Sequence, residues 1–298
     1  MLFNTSNISI DNIYADFLQH KNINLSIVRL DKIHPIVSGN KLFKLHYFLQ
    51  EAMVSSKPGI LTFGGAYSNH LVATAFICKT NNLKSVGIVR GERPLILSHT
   101  LQNCIDYGME LQFISREEYN KKENDDFLDN LSLKWKNYLI VPEGGYHPKG
   151  AAGAALITKF IAEDTTHICT AIGTATTFAG LIEGIRKDQQ IIGIPVLKGL
   201  TDINERIAYL TKSKHPFQLF NEYHFGGYAK KTPELINFMN DIFSEYHLPT
   251  DFVYIAKMMF AIFDIIEKGY FKSGSKIICL HTGGLQGNYS LPKGMLLF

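Results

Sequence analysis

The chain has 298 residues, 46% of them hydrophobic and 19% charged, with a formal net charge of +3. This composition specifies a packed globule rather than a disordered chain, and the length suits two medium domains or one large α/β unit. Lys and Arg are scattered rather than clustered, which argues against nucleic-acid and membrane-surface partners.

The opening MLFNTSNISIDN has no cationic start and no long apolar run, so no signal peptide is expected. No stretch reaches the roughly 18 apolar residues of a membrane span. The most apolar helix candidate, AAGAALITKFIA, is broken by Lys159. Cys78, Cys104, Cys169 and Cys279 are far apart with no CxxC pair, which predicts buried thiols and a reducing cytoplasm. The histidines show no metal-ligand spacing, and no metal is expected.

Short β-branched runs at 25–29, 59–63, 85–90, 111–114, 138–141, 167–172, 191–196 and 276–281 predict strands. Helical patterns at 42–52, 69–80, 95–107 and 178–187 lie between them. This alternation predicts an α/β fold with parallel-rich twisted sheets flanked by helices. In such folds ligands bind where strands end and the chain turns into a helix.

Five turns carry unusual punctuation: Ser38-Gly39-Asn40-Lys41, Gly64-Gly65-Ala66-Tyr67-Ser68-Asn69-His70, Pro142-Glu143-Gly144-Gly145, Gly173-Thr174-Ala175-Thr176-Thr177 and His281-Thr282-Gly283-Gly284. The Gly173 to Thr177 turn joins an apolar strand to a helix and offers N–H groups and hydroxyls to a phosphate. Read alone, it serves equally well as a polar helix cap. Lys41 stands at a helix start, ordinarily a solvated position, although a neutral or covalently engaged amine suits the positive helix end. Lys44 is its rival one turn on, expected to meet solvent or another polar group. Ser68, Asn69 and His70 suit helix capping or the binding of a substrate carboxylate. No GxSxG elbow supports a serine-hydrolase reading.

In this order the motifs resemble the family of 1-aminocyclopropane-1-carboxylate deaminase and D-cysteine desulfhydrase, over most of the chain. These are pyridoxal-5'-phosphate enzymes of the tryptophan-synthase-β-like fold, fold type II. The resemblance implies a large cofactor-binding domain (1–45 with 146–298), a small inserted domain (46–145) and a homodimer.

Gly39-Asn40-Lys41-Leu42-Phe43-Lys44-Leu45 resembles the family's GNKxRKL segment, whose first lysine, here Lys41, holds the cofactor; Phe43 replaces its Arg. The resemblance makes Ser68 a catalytic and substrate-binding residue. It gives Asn69 to the cofactor ring hydroxyl and the substrate, and His70 to the substrate. Gly173, Thr174, Ala175, Thr176 and Thr177 become the phosphate cradle, with Thr282 also at the cofactor. Tyr254 and Tyr228 are implied near the substrate, with Tyr223 competing for the second place. After the second tyrosine the deaminases carry Glu and the desulfhydrases Thr at the ring nitrogen; here Ile255 cannot hydrogen-bond there, which weakens the ring as an electron sink.

The expected activity is a lyase or deaminase reaction on a small amino acid, D-cysteine first, releasing ammonia and a 2-oxo acid. 1-Aminocyclopropane-1-carboxylate is the alternative substrate. A non-catalytic protein that binds pyridoxal phosphate or another metabolite is the alternative of another class, favoured by Ile255 and Phe43.

Overall fold

The computed structural model describes residues 2–37 and 39–298, so Ser38 lies outside the described residues. The chain opens with β1 (Ser9–Ile13), α1 (Asp16–His20) and β2 (Asn24–Arg29), then reaches α2 (Asn40–Val54). Next come β3 (Gly59–Gly64), α3 (Asn69–Thr80), β4 (Lys84–Arg90), α4 (His99–Asp106), β5 (Met109–Ile114), α5 (Arg116–Tyr119), α6 (Asp125–Lys134) and β6 (Leu139–Val141). The second half runs α7 (Pro148–Ala155), β7 (His167–Ile172), α8 (Thr176–Gly184), β8 (Gln190–Pro195), α9 (Ile203–Leu210), β9 (Phe217–Leu219), α10 (Pro233–Tyr246), α11 (Ile255–Glu267) and β10 (Lys276–His281).

Two sheets result. One has the order β1-β2-β10-β7-β8-β9, the other β5-β4-β3-β6. The described pairings are parallel, except that β1 runs antiparallel to β2. Every residue of β3 and β7 is buried, as expected of parallel strands covered on both faces. The expected strands all form, with ends shifted by at most two residues. Two more escaped the sequence pattern. β1 alternates apolar residues with Asp11 and Asn12 on a sheet edge, and β9 is a three-residue edge strand.

Local chemistry sets the helix ends. The Oγ of Ser68 accepts the N–H of Leu71 to start α3, and Thr232 accepts that of Leu235 to start α10, which has Pro233 in its first turn. The expected helix 95–107 begins only at His99, where Ser98 caps it; Leu95 and Ile96 lie exposed on the preceding loop. The four cysteines are free and buried, and burial pushes the Cys78 and Cys104 thiols up to about 12. Among the described residues no helix is long and apolar enough to cross a membrane, and no cluster of three or more His, Cys, Asp or Glu side chains could hold a metal.

The main apolar core crosses between the sheets. It joins Val28, Ile168 and Leu280 of the six-stranded sheet to Ile60, Val89 and Val141 of the four-stranded one through α2, α3, α7 and α8. α2 and α7 pack so closely that a Cβ added at Gly153 would collide with the carbonyl of Phe43. Gly153→Ala should therefore cost about 1–3 kcal/mol by overpacking, read as a lower thermal midpoint. An unchanged midpoint would mean that the helices separate at little cost.

Candidate active site

Because the strands other than β1 run parallel within each sheet, the punctuated turns gather at their carboxyl ends, and Asn40 ties three of them together. Its N–H donates to the carbonyl of Thr282 (3.3 Å), its Nδ2 donates to Thr177 Oγ1 (2.7 Å), and its Oδ1 accepts from Lys41 Nζ (2.7 Å). Gly39 precedes it with φ +82°, where a Cβ would collide with the Thr282 carbonyl. Only glycine meets both demands without strain.

Lys41 projects from the first turn of α2. Burial pulls its pKa down from 10.5 to about 8, against the opposing pull of Asp251. The amine is thus much easier to deprotonate than a solvated lysine.

The turn from Gly173 to Thr177 sits beside it. Ala175 adopts a left-handed conformation, φ +64°, at the start of α8, and the hydroxyls of Thr174 and Thr176 are 3.0 Å apart. The first-turn N–H groups of a helix have no helical carbonyl to meet, and together with the helix dipole they attract an anion. Lys44 is 4% exposed and donates to the Gly144 carbonyl (3.2 Å). Gly144 in turn lies against Thr174. Burial first, then Lys41, depress the Lys44 pKa well below its usual value. Lys44 thus has the polar contact expected of it but not the solvent. It forms no salt bridge among the described residues, which leaves a buried amine without a counter-ion close to the cradle.

Ser68 caps α3, and its Oγ accepts one N–H while its own proton stays free to donate. Among the described residues the Oδ1 of Asn69 is buried without a hydrogen-bond partner, and its Nδ2 lies close to Gly284. His70 differs from expectation. Its ring is 2% exposed and its Nε2 meets Thr62 Oγ1 at 2.9 Å. Since Thr62 donates its own proton to Val141, the histidine must be the donor. Burial, then Lys41 and Lys44, lower its pKa to about 3 and keep it neutral. Its Nδ1 is buried and has no hydrogen-bond partner among the described residues.

Tyr254 stands where α11 begins, its ring packed against Gly173. Burial, then Tyr228 and Asp251, hold its phenol pKa well above the ordinary value. Tyr228 packs edge-on to it, centroids 6.4 Å apart, and is 56% exposed. Tyr223 is excluded from that place, because its ring packs in the second apolar core and its hydroxyl donates to the half-buried Asp264.

Two replacements prove not to face the cleft. Phe43 is fully buried among Phe3 and Phe160. Ile255 is fully buried with Met258, Met259 and Ile262. The carboxylate near this position is Asp251, which the sequence reading missed. It accepts N–H groups from Val253 (3.0 Å), Tyr254 (2.8 Å) and Ile255 (3.0 Å), capping α11. Burial raises its pKa, opposed by those bonds. Its signal was an Asp just ahead of an apolar helix. The Thr282 hydroxyl makes no hydrogen bond among the described residues, although Thr282 is 8% exposed. A separate cavity of about 600 Å³, bordered by Asn12, Tyr14, Asn24 and Lys276, opens at the opposite ends of β2 and β10 and contains none of these groups.

An easily deprotonated amine, an anion-binding helix start, a buried lysine without a counter-ion and an unpartnered asparagine oxygen together fit an aldehyde that carries a phosphate and a polar ring. The fold and site define an α/β enzyme of this cofactor type. The family model for pyridoxal-phosphate-dependent enzymes matches residues 13–283, and the chain belongs to that family. A relative from Pyrococcus furiosus, described as a putative 1-aminocyclopropane-1-carboxylate deaminase, is 28% identical over 285 residues, 88% of this chain and 85% of the relative. D-cysteine desulfhydrase of Klebsiella pneumoniae is 23% identical over 283 residues, 86% of each chain. The crystal structure of an ACC deaminase homologue superposes with a TM-score of 0.82 at 24% identity, covering 97% of this chain and 92% of that one. The fold is the tryptophan-synthase-β-like one, fold type II.

The Lys41 pKa gives a direct expectation. Because the free amine is the reactive form, recombination of the apo-protein with pyridoxal phosphate should accelerate as pH rises through about 8. Stopped-flow visible absorbance measures this. An inflection near 10.5 would contradict the burial of the amine.

Proposed function

We propose that the chain is a lyase or deaminase of a small amino acid, D-cysteine desulfhydrase-like, with Lys41 as its cofactor anchor. The observation that carries this reading is the continuous contact from Lys41 Nζ through Asn40 to Thr177, with Tyr254 packed over the same turn. When bound, pyridoxal phosphate supplies an aldehyde that takes up amines and a ring that accepts electrons from the substrate's α-carbon.

The protein's own groups do the rest. The N–H groups and hydroxyls of Gly173, Thr174, Ala175, Thr176 and Thr177, helped by Lys44, bind the phosphate. Asn69 and Thr282 would offer hydrogen bonds to the ring. Ser68 and Asn69 orient the substrate carboxylate through a hydroxyl, an amide and helix-start N–H groups. The Lys41 amine would hold or move a proton at the substrate's α-carbon. The Tyr254 phenol, its pKa raised, stays protonated and donates, with Tyr228 beside it.

With D-cysteine, the balance is one water consumed and pyruvate, ammonia and hydrogen sulfide released. The name of the Pyrococcus relative favours a second substrate, 1-aminocyclopropane-1-carboxylate, which with water gives 2-oxobutanoate and ammonia. We further propose a cytoplasmic homodimer, with residues 1–45 and 146–298 forming one domain around the six-stranded sheet and 46–145 another. The first boundary crosses the unbroken helix α2, so this helix would link the two as they close.

Purified protein loaded with cofactor should release keto acid and ammonia from D-cysteine or the cyclopropane amino acid. Ser68→Ala and Tyr254→Phe should each lower kcat/KM by roughly 10²–10⁴-fold, and Lys41→Ala should abolish turnover. Retained cofactor absorbance with no product from either substrate would refute the proposal and favour a binding protein.

A further inference from the structure

Lys257 is 0% exposed, yet no hydrogen-bonded carboxylate accompanies it among the described residues. Its Nζ donates to two backbone carbonyls, those of His224 (2.9 Å) and Gly227 (2.7 Å). Both carbonyls already accept an N–H within their own turn, His224 from Gly227 (2.9 Å) and Gly227 from Lys230 (3.2 Å). The lysine thus uses the second lone pair of each.

This turn needs a tether. Phe225, Gly226, Gly227 and Ala229 all have positive φ, from +50° to +115°. For Phe225 and Ala229 that conformation is costly and persists only when surroundings enforce it. Phe225 sets its ring edge-on to Phe260 of α11, centroids 5.0 Å apart, and so docks the turn on the helix that bears Lys257. The turn delivers Tyr228 to the cleft, where it meets Tyr254, the residue at the start of α11.

We propose that Lys257 is a positioning residue that clamps the 224–227 turn onto α11 and thereby sets Tyr228 against Tyr254 at the mouth of the cleft. The inference rests on the reading of Tyr228 as a substrate-facing residue. A buried lysine is a costly clamp, since an apolar side chain would fill the space with no charge to desolvate. Only a long donor satisfies both carbonyls at once, and here the ammonium does so without reaching the substrate. Burial lowers its pKa to about 8, with Asp251 opposing. Since a neutral amine still donates, the clamp survives deprotonation.

Hydrogen exchange of the apo-protein and steady-state kinetics of the loaded enzyme test this. In Lys257→Met, exchange of the segment 222–231 should speed up by about tenfold or more while the rest of the chain is unchanged. Cofactor absorbance should persist and kcat should fall by about tenfold or more, with KM changing less. Lys257→Arg should restore slow exchange. If Lys257→Met does not fold, Lys257→Gln takes its place, being too short to hold both carbonyls, and the same local loosening is expected. Unchanged exchange in 222–231, or a rise spread evenly over the chain, would overturn the clamp. Tyr228→Phe separates the two ideas: full turnover in that variant with a loosened Lys257→Met turn would remove the role of Tyr228 and leave the clamp standing.

Discussion

The site depends on one residue that makes three hydrogen bonds at once. Asn40 is 6% exposed, and its backbone and carboxamide engage Thr282, Thr177 and Lys41. These partners come from the end of β10 and from the first turns of α8 and α2. A buried amide left unsatisfied would cost its desolvation, about 1–3 kcal/mol, so the three elements are held to one mutual placement. Gly39 makes this possible by letting the chain lie against Thr282 where any side chain would collide. The Lys41 amine inherits its position from this junction more than from its own contacts.

Around the junction the protein buries more ionisable groups than stability alone would favour. Lys41, Lys44, Lys257 and Asp251 are all shifted by burial toward their neutral forms. Each has a different remedy. Asp251 accepts three backbone N–H groups, and Lys257 donates to two carbonyls. Lys44 donates to a single carbonyl, and Lys41 to a single amide oxygen. The structural pair is satisfied inside the protein, and the two α2 lysines are left with unused donors among the described residues. That asymmetry separates groups that hold the architecture from groups that await a ligand.

The departures from the family motif also become intelligible. Phe43 and Ile255 read in sequence as missing polar contacts, yet both side chains point into apolar cores. A helix residue's direction is set by its phase, and position in a motif does not report it. His70 shows the converse. A polar residue in a polar motif closes an internal chain with Thr62 and Val141, because the helix start turns its ring under the four-stranded sheet.

The sequence by itself determined the alternation of strands and helices and the glycine-rich turns at strand ends. These are local properties, written in apolar periodicity and in the demand for positive φ. Only the tertiary structure decided that Asn40 bridges three turns and that Tyr228, not Tyr223, faces Tyr254. It alone showed Asp251 and Lys257 holding α11 and its neighbouring turn in place. Those choices depend on contacts between residues up to 242 positions apart, such as Asn40 and Thr282. No periodicity encodes a bond across that distance; it exists only once the parallel strands bring their carboxyl ends together.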